Sequence, residues 1–115
     1  MLKVYGIKNC NTVKKALNWL EENGQEYEFH DYKKSGISKE KIKEWQASVG
    51  WEPLINKRGT TWRRLEKGVQ DEIDGPETAS KLMQENTSLI KRPIIEGKGP
   101  IILGFDSSEY EENLL

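Results

Sequence analysis

Cys10 is the only cysteine in a chain of 115 residues, and it stands where a short apolar run, residues 2–7, gives way to an amphipathic stretch beginning near Asn11. The first N–H groups of a helix have no intrahelical partners, and together with the macrodipole they favour a thiolate over a thiol. Thr12 and the N–H groups of that first turn would stabilise a Cys10 thiolate, and Lys8, Lys14 and Lys15 add positive charge nearby. A lone cysteine is otherwise a small buried hydrophobe, so its position at the junction carries the reactive reading.

The neighbours of Cys10 exclude several thiol chemistries. A dithiol CxxC couple needs a second cysteine where Val13 stands, which leaves a monothiol cycle. A C-x5-R phosphate loop would put its arginine at Ala16. A cysteine-protease pair would have to use His30, the one histidine, which is expected as a solvated strand residue. One cysteine and one histidine cannot supply a structural metal cluster, so no metal is expected.

Two basic positions complete the candidate set. Arg92 precedes Pro93 and an apolar run, and proline is tolerated at a strand start or edge, where it fixes a turn. On the dipeptide alone the peptide bond is open between trans and cis. Lys57 and Arg58 lie in the polar stretch 56–59, which reads as a loop.

The elements that must position these residues follow from periodicity. Val13, Ala16, Leu17 and Leu20 recur at helical spacing, with Gly24 as the stop, and Tyr27, Phe29 and Asp31 then alternate with Glu28, His30 and Tyr32 as in a half-buried strand. Two strands joined by a helix should lie parallel, with the Cys10 loop at the C-terminal end of the first, where ligands usually bind. Ser38 is expected to cap a helix burying Ile42, Trp45 and Val49, with Gly50 ending it. Thr60 starts a small helix, and residues 74–77 with Pro76 open another that buries Ala79, Leu82 and Met83. Residues 94–96 and 101–104 flank a glycine-containing hairpin loop, and Asp106 with Glu109 has capping-box spacing for a last helix. The order is βαβ, a helical insertion, then ββα, an α/β class with a mixed sheet.

Composition bounds the partners. Lys and Arg number 18 against 19 Asp and Glu, a net charge of −1, which argues against direct nucleic-acid binding or an anionic membrane surface. No apolar run is long enough to span a bilayer and no signal-type N-terminus precedes the first strand, so a cytoplasmic protein with a reduced thiol is expected.

Residues 4–16 around Cys10, 56–62 around Lys57 and Arg58, and 91–95 around Arg92 and Pro93 resemble, in order and spacing, the ArsC-like family, closest to its YffB branch, whose relatives include Spx. The similarity runs over essentially the whole chain. It implies a thioredoxin-like fold in a single domain, 1–115, with residues 33–88 as the helical insertion and a cis proline at Pro93. In the arsenate reductases of the family, the cysteine matching Cys10 attacks arsenate, glutathione and glutaredoxin complete the reduction, and arginines hold the oxyanion. Arg92 matches one of these by its R-P-I context, and Arg58 or Lys57 lies within two residues of another. The third falls near Phe105, where there is no arginine, and a histidine four residues before the cysteine is Gly6 here.

The resemblance therefore implies a glutathione-dependent monothiol reductase, an oxidoreductase with Cys10 as nucleophile and Arg92 holding an anionic group. Asn11, Thr12, Lys14, Lys57, Arg58 and Pro93 would contact substrate or glutathione, with the backbone beside Pro93 pairing with the cysteinyl part, and glutaredoxin is a further partner. The alternatives are an Spx-like redox-sensing regulator that docks on RNA polymerase, or a true arsenate reductase.

Overall fold

A computed structural model describes all 115 residues, which form two compact units: Met1–Ser35 with Arg92–Leu115, and Gly36–Lys91.

In the first unit, alternation of buried side chains makes β1 (Leu2–Gly6), and the spacing of Val13, Ala16 and Leu20 makes α1 (Asn11–Glu22). Gly24, at φ 67°, turns the chain out of α1, its N–H donating to the Glu21 carbonyl at 3.2 Å. Next come β2 (Tyr27–Asp31) and one helical turn, α2 (Tyr32–Ser35). After the second unit the chain returns as β3 (Ile94–Glu96), β4 (Ile102–Leu103) and α7 (Ser107–Leu114), whose cap Asp106 accepts from the N–H groups of Ser108 and Glu109. The sheet order is β2-β1-β3-β4, with β1 parallel to β2 and the other pairs antiparallel.

One sheet face carries Leu2, Val4, Ile95 and Ile102 and packs on Ala16 and Leu20 of α1 and on Tyr110 and Leu114 of α7. Each Leu, Ile or Val among them contributes about 1.5–3 kcal/mol when buried, so this face fixes α1, and with it Cys10, against the sheet. The opposite face carries Tyr5, His30, Ile94 and Glu96, cross-strand neighbours by register. Here the expectation of a solvated histidine fails. His30 is half-buried, its ring 5.1 Å from that of Tyr5 and 6.4 Å from that of Tyr32.

The second unit is helical. Ser38 Oγ accepts from the Lys41 N–H to cap α3 (Lys39–Val49), which buries Ile42 and Trp45 and ends at Gly50, φ 84°. Then follow α4 (Thr60–Arg64), α5 (Lys67–Asp71) and α6 (Pro76–Glu85), with Pro76 at the first turn as expected. α6 packs on α3 and buries Ala79, Ser80 and Met83, whereas Leu82 stays half-exposed beside Val69 and Ile73. The helix turns Ser80 inward in its place, the hydroxyl donating to the Glu77 carbonyl at 3.2 Å. Leu54, Ile55, Leu89 and Ile90 are buried, and an isolated antiparallel bridge joins Ile55 to Ile90.

Candidate active site

Cys10 is the N-cap of α1, with extended φ and ψ of −110° and 126°, and its carbonyl accepts the first helical bond, from Lys14 N–H at 3.0 Å. The sulfur is half-buried and lies against the N–H groups of Val13 and Thr12 without closing a full capping hydrogen bond. Burial is the largest single influence on the thiol and pushes its pKa up. The Val13 N–H, a hydrogen bond from the Arg92 side chain, the Thr12 N–H and the Arg92 charge together outweigh burial, so Cys10 ionises below its ordinary value. Arg92 is the leading side-chain charge in that balance, ahead of the lysines near α1.

Arg92 reaches the sulfur because β3 runs antiparallel to β1, which brings its N-terminal end beside the C-terminal end of β1. The Arg92–Pro93 peptide is cis. Pro93 is buried, and its carbonyl accepts from Gly104 N–H at 2.8 Å. The Gly104 carbonyl in turn accepts from the Tyr110 hydroxyl at 2.6 Å, which ties α7 to the Pro93 segment. Phe105 packs edge-on against the Tyr110 ring at 5.1 Å, so the position where a third oxyanion arginine would fall is spent on packing.

Asn11, Thr12 and Lys14 are exposed on the first turns of α1, in the same unit as Cys10, Arg92 and Pro93. Lys57 and Arg58 are exposed in the helical unit. There the Lys57 ammonium stands 5.5 Å from the Trp62 ring centroid and 4.0 Å from a Glu52 carboxylate oxygen.

Sequence reasoning missed the polar cluster on the second sheet face. The Tyr5 hydroxyl donates to Glu96 Oε1 at 2.7 Å, and Tyr32, 1% exposed, has Arg92, Glu96 and Tyr5 within electrostatic range of its hydroxyl. The alternation of residues 28, 30 and 32 marked these side chains as the outward face of β2. That signal assigns the face but not the contacts its side chains make across the sheet.

The ArsC family matches residues 5–113, and the chain belongs to that family. It is 45% identical over 111 residues, 96% of each chain, to an uncharacterized protein of Haemophilus influenzae. The solved structure of a YffB protein superposes with a TM-score of 0.93 at 40% identity, covering 100% of both chains. A global transcriptional regulator Spx of Streptococcus agalactiae is 29% identical over 95% of this chain and 80% of its own length. The fold is the α/β, thioredoxin-like fold of these relatives. No helix is long and apolar enough to cross a membrane.

Proposed function

We propose that the chain is a glutathione-dependent monothiol reductase in which Cys10 is the nucleophile. The observation that carries this reading is the Cys10 sulfur held by the Val13 and Thr12 N–H groups and by Arg92, an arrangement that favours thiolate over thiol. The Cys10 thiolate attacks the glutathione sulfur of a disulfide between substrate and glutathione, forming a Cys10–glutathione disulfide and releasing the substrate sulfur as a thiolate. One glutathione thiolate then attacks the glutathione sulfur of a Cys10–glutathione adduct, restores the Cys10 thiolate and leaves as oxidised glutathione. Net, one substrate disulfide bearing glutathione and one reduced glutathione give one substrate thiol and one glutathione disulfide.

Val13, buried where a second cysteine would stand, is why the chain has no internal resolving thiol and needs an external one. Arg92, half-buried and fixed beside the sulfur, would hold a glutathione carboxylate through charge-assisted hydrogen bonds, each about 1.5–3 kcal/mol when well formed. Asn11, Thr12, Lys14 and the backbone beside Pro93, all in the unit that holds Cys10, would line the tripeptide.

The test is turnover of a glutathione mixed disulfide, with and without glutathione, by the wild type, Cys10→Ser and Arg92→Ala, beside chemical-shift mapping of millimolar glutathione. Activity lost in Cys10→Ser, and weakened in Arg92→Ala more than folding is, supports the reading. No glutathione shifts and no turnover count against it. The likeness to Spx favours a second reading, a redox-sensing regulator, which the same preparation tests by co-purification with RNA polymerase.

A further inference from the structure

The two edges of the sheet are built differently. β4 is only two residues long and comes just after Pro100, a blunted edge of the kind that resists pairing with another chain. β2, at the other edge, is five residues long and contains no proline, glycine or lysine. Its register says which groups face outward. Leu2, opposite Tyr27, donates its N–H to the Glu26 carbonyl at 3.1 Å, so Glu28 and His30 turn their backbone N–H and C=O groups to β1, while Tyr27 and Phe29 turn theirs away, with the N–H of Asp31. The backbone groups of Tyr27 and Phe29 have no hydrogen-bond partner in the chain. Glu28 is exposed and makes no ion pair, for Lys3, its neighbour on β1, stands over the Tyr5 ring at 5.8 Å.

We propose that β2 is a docking edge for a second copy of this chain, the two β2 strands pairing antiparallel about a two-fold axis at Phe29 and joining two four-stranded sheets into one. The occupant follows from the strand's own sequence. Antiparallel self-pairing must set outward residues against outward residues, so it centres on Glu28, Phe29 or His30. Centring on Glu28 places two carboxylates opposite each other, and centring on His30 places two imidazoles so; like groups of this kind directly opposite are unfavourable. Centring on Phe29 sets Glu28 of each copy opposite His30 of the other, Tyr27 opposite Asp31, and the two Phe29 residues opposite each other, where they exchange both backbone bonds. The contact is isologous and closes at two copies. One strand pair is a small interface, so association is weak and falls in the micromolar to millimolar range.

The experiment is sedimentation of the whole chain from micromolar to millimolar concentration, under reducing conditions so that no Cys10 disulfide links copies, with amide hydrogen exchange read by NMR at both ends of the range. Monomer should give way to dimer. Exchange at the Phe29 and Asp31 amides should slow by roughly three- to tenfold across the range, while Glu28 and His30, bonded to β1, are protected throughout. Tyr27→Pro loses an N–H that faces outward and serves no bond within the sheet, so it should fold and stay monomeric. Glu28→Lys, which removes the cross-strand pair twice by symmetry, should weaken the dimer by roughly two- to tenfold. A chain still monomeric at millimolar concentration overturns the proposal. So does a dimer that leaves the Phe29 and Asp31 amides unchanged, one that survives Tyr27→Pro, or association that grows past two copies. Should Tyr27→Pro fail to fold, Glu28→Lys decides: a dimer as tight as that of the wild type sinks the Phe29-centred pairing.

Discussion

A Cβ added to Gly6 would stand 2.9 Å from Cγ2 of Val13, so the last residue of β1 and the first buried position of α1 share one space. The family resemblance places a histidine at the first position in arsenate reductases, and a CxxC couple would place its second cysteine at the second. Here a glycine and a stiff β-branched valine fit each other, and the pair seats α1 on the sheet one turn from Cys10.

Gly6→Ala is expected to destabilise by about 1–3 kcal/mol through overpacking, since Val13 has no exposure and few rotamers to yield with. It should also perturb the amide shifts of Cys10 and Thr12. Adding Val13→Ala should recover part of the loss, measured by urea unfolding. Independent, additive effects would show that the two residues do not share the space.

Cys10 should titrate below the ~8.5 of a free cysteine in a pH profile of thiol alkylation. Arg92→Ala should raise it, because Arg92 acts on the sulfur both through a hydrogen bond and through its charge. An unchanged profile in that variant would assign the effect to the helix N–H groups alone.

Cys10→Ser should abolish thiol-dependent activity and, near pH 6, leave stability within about 0.5 kcal/mol, since a capping-compatible hydroxyl remains at the helix start. The pH dependence has a definite sign. A thiol whose folded pKa is depressed adds stability that is fully present above the unfolded value and is lost as pH falls through the folded value. The wild type should therefore gain on Cys10→Ser between pH 6 and pH 9 in denaturant midpoints. A constant difference would speak against a stabilised thiolate.

Tyr110→Phe removes a fully buried hydroxyl donating to Gly104 O at 2.6 Å and should cost about 1–3 kcal/mol. Burial, with Glu109 nearby, raises the Tyr110 pKa, so the unfolded chain releases its proton first and stability falls as pH rises past ~10. The variant should lose stability less steeply above pH 10 than the wild type. Equal alkaline slopes would exclude Tyr110 as a source of that loss.

Arsenate reduction is expected to be weak or absent, measured as arsenite release in the presence of glutathione and glutaredoxin. Phe105 is packed against Tyr110, so Phe105→Arg should lower stability rather than install an oxyanion ligand. Robust wild-type turnover of arsenate would reverse the ranking of substrates.

Local signals in the sequence determined the elements that position Cys10. The period of Val13, Ala16 and Leu20, the Ser38 and Asp106 caps, Pro76 at a helix start and the hairpin before α7 are each written within a few residues, because capping and periodicity are short-range physics. The five-residue α5 and the 3-10 turn Thr87–Leu89 carry no such signal, as their order comes from packing. Tertiary structure alone decided that Arg92, distant in sequence, hydrogen-bonds Cys10, since that depends on antiparallel pairing of β3 with β1. It also decided that Tyr32 is buried and His30 half-buried. Alternation reports that a strand has two faces, but whether the second is covered depends on what the rest of the chain brings to it.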